Sequence, residues 1–285
     1  MKYSGLINRC VRLRILIFAG LALAAASLPG CGKNSKGLTV AGSTSVQPVM
    51  ELIADSFRKH RPDQIIDVEG GGSSAGIMAA LTGTAQLGMS SRRLKEDEPN
   101  EKTLTAITIA FDAIAVIVHP DNPVVKLDLE QLRGLFSGQY RSWKDVGGSD
   151  RPVHLIVREE GSGTRSAFEE MVMKPSGDGG REEAVDAYAL VQDSTGGVRE
   201  VLRGDPDAIG FISLGAVTAQ VKMLVIDGVK ADFETVRNKK YRLTRPFLLV
   251  SKGEPTGIAR EFVDYILGSD GAKIMHDEGL VSAGR

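Results

Sequence analysis

The sequence predicts an α/β protein of two lobes, with a mixed, largely parallel sheet in each lobe and two extended crossings between them. Two observations carry this. From Leu38 onward, short apolar runs alternate with amphipathic stretches, the pattern of strand–helix units. The runs "LTAITIAFDAIAVIVHP" and "YRLTRPFLLVSKG" are each too long for one ordinary strand, so each is expected to leave one sheet and enter the other.

The elements follow in order. "LTVAG" reads as a strand and "VQPVMELIADSFRKH" as an amphipathic helix; "QIIDVEG" is a strand, "AGIMAALTG" a helix ending at Gly83, and "AQLGMS" a strand. The first long run follows, with Asp112 near its crossing point. After Pro123, "DLEQLRGLFSG" reads as a helix, "PVHLIVRE" as a strand, "TRSAFEEMVM" as a helix and "PSGDGG" as an exposed loop. "EEAVDAYALV" and "GGVREVLRGDP" look helical, and "AIGFISL" and "VKMLVID" look like strands. The second long run is the return crossing, and the C-terminal "GIAREFVDYILGSDGAKIMHDEGL" forms one or two helices. The expected division is residues 38–115 with 245–285 in lobe 1, and 116–244 in lobe 2.

Composition narrows the function. The 285 residues are 42% hydrophobic and 25% charged, with a formal net charge of -1, which leaves no electrostatic footprint for a polyanion. At 5% aromatic, the chain lacks the means for a nucleic-acid stacking surface. The histidines are His60, His119, His154 and His276, none with a second histidine at metal-ligand spacing, so neither a metal nor a cofactor is expected.

The N-terminus reads as a targeting segment. Lys2, Arg9, Arg12 and Arg14 form a basic region before the apolar "ILIFAGLALAAASL", which is too short and alanine-rich for a membrane span. "LPGC" then resembles a bacterial lipobox, with Pro29 where a small residue is usual. This implies a signal peptide over 1–30, lipid attachment at Cys31, a tether over 31–37 and an extracytoplasmic chain held to the membrane by lipid alone. Removal of 1–30 leaves 31 basic against 36 acidic side chains. Cys10 leaves with the leader, so no disulfide is possible in the mature chain.

Four polar loops follow predicted strands: Gly42–Ser45, Gly70–Ser74, Met89–Arg92 and Arg158–Thr164. Three of them open predicted helices. Backbone N–H groups at a helix start, with short hydroxyls beside them, suit an oxyanion. Any one loop alone reads equally well as an N-cap, since Ser, Thr and Gly favour that position. Four at corresponding places point to a shared ligand. Arg158 and Arg92 are the candidate charged partners. Arg93 and Arg165 read as solvated or paired, and Glu159 and Glu160 as outward-facing acids that moderate the arginines. "GSGT" is not followed by the Gly-Lys-Ser/Thr of a P-loop, and no Gly-x-Ser-x-Gly nucleophile elbow is present.

In order, "AGSTSVQPVMELIADSF", "VEGGGSSAGIMAALTG", "LGMSSRRL", "FDAIAVIVHP", "REEGSGTRSAF" and "AIGFISLG" resemble the extracytoplasmic phosphate-binding proteins of bacterial phosphate ABC transporters. The resemblance covers residues 38–285. It implies a periplasmic-binding-protein-like (type II) Venus-flytrap fold closing on one inorganic phosphate with high affinity. It also implies a monomer that hands its ligand to the permease subunits and performs no catalysis. The implied ligands are Thr44, Ser45, Ser73, Arg158, Ser162, Gly163 and Thr164. Some members carry an aspartate in the third loop as acceptor for the phosphate's own hydrogen; here Ser91 stands there, followed by Arg92, and the acceptor role is assigned to Asp112. The alternatives are a receptor for another tetrahedral oxyanion, such as sulfate, molybdate or a phosphonate, and a phosphate-ester hydrolase using Ser45 or Ser162.

Overall fold

A computed structural model describes residues 37–174 and 183–284. The proposed signal peptide, Cys31 and the "PSGDGG" loop lie outside the described residues. The first half starts with β1 (Gly37–Gly42), whose side chains alternate between partly and fully buried. In α1 (Gln47–His60), Pro48 sits in the first turn, where its missing N–H costs nothing. Val49, Met50, Ile53, Ala54 and Phe57 fall on its buried face. There follow β2 (Ile65–Gly70), α2 (Ser73–Thr82), which ends at a left-handed Gly83, and the fully buried β3 (Leu87–Ser90). This is the parallel strand–helix series expected, with β1 paired to both β2 and β3.

The long apolar run is a single 14-residue strand, β4 (Thr105–Val118). Beyond it come β5 (Lys126–Leu127), α3 (Leu129–Phe136), β6 (His154–Arg158), α4 (Gly163–Phe168), β7 (Leu190–Gln192), α5 (Thr195–Gly204) and β8 (Ala208–Ser213). Then come β9 (Lys222–Met223), β10 (Val225–Ile226), α6 (Phe233–Arg237), β11 (Thr244–Ser251), α7 (Gly257–Leu267), α8 (Ser269–Asp277) and β12 (Val281–Ser282). A ten-stranded mixed sheet runs β2-β1-β3-β11-β4-β8-β6-β7, with β9 and β12 also on β4. Residues 105–113 of β4 pair antiparallel with β11, and 114–118 pair antiparallel with β8. The two-lobed division turns on this one strand, and Asp112 sits beside the handover.

Each half has its own core. Leu38, Val40, Met50, Ile53, Phe57, Leu87, Phe262 and Ile266 close the first. The second packs Phe136, Phe168 and Phe211 with Trp143; Phe168 and Phe211 stack with centroids 3.9 Å apart. Ala115, Ile117, Ile156, Val198 and Ile212 fill the opposite face of that half's sheet. Strands covered on both sides explain the near-continuous apolar runs.

Three local expectations fail. Residues 183–189 of "EEAVDAYALV" form no helix, and β7 follows at the sheet edge, parallel to β6. There the backbone is tied elsewhere: Glu183 N–H donates to Met173 O, and Asp186 N–H to Phe136 O at the end of α3. Those tertiary bonds override a weak local preference. "TRSAFEEMVM" is not one regular helix, because α4 gives way to a π-helical turn over Glu169–Met173. "VKMLVID" splits into β9 and β10, which pair with different strands. Among the described residues no helix is long and apolar enough to cross a membrane.

Candidate functional site

The ends of β1, β3 and β6 and the starts of α1, α2, α4 and α5 meet where the halves face each other. The approach is close. A Cβ on Gly42 would collide with the Met89 carbonyl, and one on Gly163 with Ser73 Oγ. Ser74 N–H donates to Gly161 O across the junction at 3.1 Å.

Helix capping does not explain the first two loops. The N-cap residues of α1 and α2 are Val46 and Gly72, and neither helix has a side-chain cap. The hydroxyls of Thr44, Ser45 and Ser73 are therefore free for other partners. Ser162 and Ser194 do cap, accepting from Arg165 N–H and Gly197 N–H at 3.3 and 3.1 Å. Each keeps its own O–H to donate.

Two hydroxyl groupings fill the junction. In one, Ser43 Oγ donates to Ser91 Oγ at 2.9 Å, and Ser73 Oγ accepts from Ser91 N–H at 3.0 Å. Ser73 and Ser91 are wholly buried, with the backbone of Gly163 against them. In the other, Ser45 Oγ lies 2.9 Å from Thr164 Oγ1 and 3.1 Å from Thr195 Oγ1, with Thr44 Oγ1 3.4 Å from Thr195 Oγ1. Hydroxyls can donate or accept by rotation, so this cluster can reorient its donors toward an anion.

Arg158 is 2% exposed and brings a guanidinium to the junction. Its Nε and Nη2 grip Glu159 at 2.8 and 2.9 Å, while Nη1 donates to Thr195 Oγ1 at 3.1 Å. Glu159 moderates an arginine as expected, but it does so by folding onto Arg158 and not by facing outward. It is the countercharge that makes a buried arginine tolerable and fixes the plane of its guanidinium. Arg165 pairs with Glu169 at 2.7 Å and donates to the Arg158 carbonyl.

Two assigned roles meet a different geometry. Arg92 is buried but turns to Glu101, with Nη1 and Nη2 2.9 and 2.8 Å from its carboxylate oxygens. Burial opposes ionisation of Glu101, yet Arg92 and the Lys95 N–H hold its carboxyl below the usual range. Arg92 is thus held in an ion pair on the side of Glu101, while its Nε is buried with no hydrogen-bond partner among the described residues. Asp112 has no acceptor position to spare. Oδ1 accepts Ser213 Oγ–H and Leu214 N–H, and Oδ2 accepts Arg245 Nε–H and Nη2–H at 3.0 and 2.9 Å. Burial pushes its carboxyl upward, against the pull of Arg245. Asp112 and Arg245 sit directly opposite each other on β4 and β11.

The sequence reading places Ser43 in the first polar loop without a role of its own, and it does not point to Thr195 or Arg245. Ser194 and Thr195 fall in "DSTGG", before the "GGVREVLRGDP" helix and outside the four polar loops singled out. Arg245 lies in an apolar run whose register with β4 no local pattern reveals. Among the described residues, one group carries metal-ligand atoms close together: His154, Asp205 and Asp207. Each already has a partner, His154 with Asp205 at 2.7 Å and Asp207 with Arg151 at 2.7 Å.

A family model, the PBP superfamily domain, matches residues 28–270. The phosphate-binding protein PstS of Bacillus subtilis (strain 168) is 33% identical over 258 residues, spanning 90% of this chain and 83% of its own length. This chain belongs to that family. Two solved structures share the PstS-like architecture. A Clostridium perfringens protein solved with bound phosphate is 40% identical, with a TM-score of 0.81 over 87% of this chain and 99% of that one. An ABC-type phosphate transport receptor from Vibrio cholerae is 32% identical, with a TM-score of 0.70 over 86% of this chain and 99% of that one.

Proposed function

We propose that this chain is the extracytoplasmic receptor of an ABC importer and that its ligand is inorganic phosphate, held between the two lobes. The observation that carries the reading is the convergence of uncapped hydroxyls from one half with Thr164, Thr195 and buried Arg158 from the other. The relatives' names point the same way. Thr44, Ser45, Ser73, Ser162 and Thr164 give hydroxyl donors, Gly163 a backbone N–H, and Arg158 its charge. Ser91 stands behind Ser73 and orients it.

Phosphate near neutral pH keeps a P–OH that sulfate lacks. With Asp112 filled, Glu159 is the better acceptor: each of its oxygens accepts one Arg158 N–H, and it stands beside Gly72 at the start of α2. A carboxylate accepts a P–OH but repels a fully ionised oxyanion, which separates two ligands of similar shape.

The lobes are 38–115 with 245–285, and 116–244. They open and close about β4 and β11, and the closed form docks on the permease. Cys31 carries the lipid anchor, and the receptor acts as a monomer.

Titration calorimetry with phosphate and sulfate tests the reading. One phosphate per chain, much tighter than sulfate, is expected. Equal affinities point to a general oxyanion receptor. Turnover of a phosphate ester, lost in Ser45→Ala or Ser162→Ala, replaces binding with hydrolysis.

A further inference from the structure

We infer that Thr195 is a direct ligand of the bound anion, which makes the "STGG" start of α5 a further wall of the cage. The inference rests on the phosphate reading above. It stands on the hydroxyl of Thr195 and not on the helix end. Thr195 is 5% exposed, and three groups from two other segments, the Thr44–Ser45 loop and the end of β6, surround its Oγ1. Arg158 Nη1 donates to it at 3.1 Å, Ser45 Oγ lies at 3.1 Å and Thr44 Oγ1 at 3.4 Å. An anion touching Arg158, Ser45 and Thr44 is thereby brought within reach of Thr195.

The chemistry favours donation to the ligand. A threonine hydroxyl has one hydrogen and two acceptor positions. Arg158 fills one acceptor position and polarises the O–H, which strengthens it as a donor. Its hydrogen can go only to Ser45, Thr44 or the anion, and an anion is the strongest acceptor of the three. Ser194 holds the residue in place by capping α5 through Gly197 N–H. Gly197 lies beside that cap and Gly196 meets open space, so no bulky side chain from this turn fills the cage.

Thr195→Val keeps the shape and removes the hydroxyl; Thr195→Ser keeps the hydroxyl. On the purified protein, phosphate binding to Thr195→Val is expected to weaken by about 10- to 100-fold, the usual worth of a hydrogen bond to a charged group. Thr195→Ser is expected within about threefold of the wild type. Two readouts separate a ligand from a supporting residue. The melting temperature without phosphate stays at the wild-type value if Thr195 acts on the ligand, and falls if it only ties the lobes together. Adding Thr195→Val to Arg158→Ala, followed by phosphorus NMR line broadening for weak binding, costs a further loss of similar size if the contact is direct. No further loss makes Thr195 a positioning residue for Arg158 and overturns the inference. So does wild-type affinity in Thr195→Val. A wild-type protein that ignores phosphate removes the phosphate reading itself, and this inference with it.

Discussion

Two arginines are buried at the junction of the halves, and the protein uses them differently. Arg245 is 1% exposed, and its partner Asp112 accepts four hydrogen bonds and has none to give away. Arg158 is as deeply buried, but its partner Glu159 keeps 28% of its side chain exposed, and its Nη1 reaches a hydroxyl of the cage. Burial alone therefore does not distinguish the arginine proposed to bind the anion. The distinction is whether the countercharge is saturated. The closed pair pins two strands; the open pair leaves donors and acceptors for an anion.

The largest effect separating the pairs is on stability. Asp112→Ala leaves Arg245 buried without its countercharge and is expected to cost about 3–5 kcal/mol, read from chemical denaturation. Arg158→Ala should reverse the pattern: phosphate affinity falls by about 2–5 kcal/mol in calorimetry. Its unfolding free energy should change by less than that of Asp112→Ala. If both variants lose mainly stability, the two arginines are alike and the contrast fails.

A smaller effect tests the fit between the halves. Gly163→Ala places a methyl group against Ser73 and Ser91, where overpacking costs about 1–3 kcal/mol. Because those contacts cross the junction, the loss should appear in phosphate affinity more than in the melting temperature. The smallest effect concerns Arg92, the arginine outside the contrast. The Glu101 carboxyl is held below its ordinary value of 4.5, so its contribution to stability is present above that value and is lost as pH falls through the lowered one. Glu101→Gln should flatten the fall of melting temperature below about pH 4.5 and leave phosphate binding unchanged. Altered binding would return Arg92 to the site.

The strand–helix order was legible because period and punctuation agree along most of the chain. The 14-residue β4 announced the junction by its length. The anion loops were legible as residue types in recurring places. Partner choice was not. Whether Asp112 has a free oxygen depends on Arg245, 133 positions away and set opposite by strand register. Whether Arg92 faces the cage depends on Glu101, which waits on a separate turn. Glu159 read as a surface acid because nothing local in "REEGSGTR" shows which way its carboxylate turns. The chain turns at the end of β6, and the carboxylate folds back onto the guanidinium.

In the proposed site, anion choice turns on Glu159. The decisive measurement is the phosphate-to-sulfate affinity ratio, by calorimetry at neutral pH, of the wild type, Glu159→Gln and Asp112→Asn. The account predicts that Glu159→Gln shrinks the ratio by about tenfold or more, while Asp112→Asn lowers stability and keeps the ratio. A ratio that collapses in Asp112→Asn and survives in Glu159→Gln would contradict it.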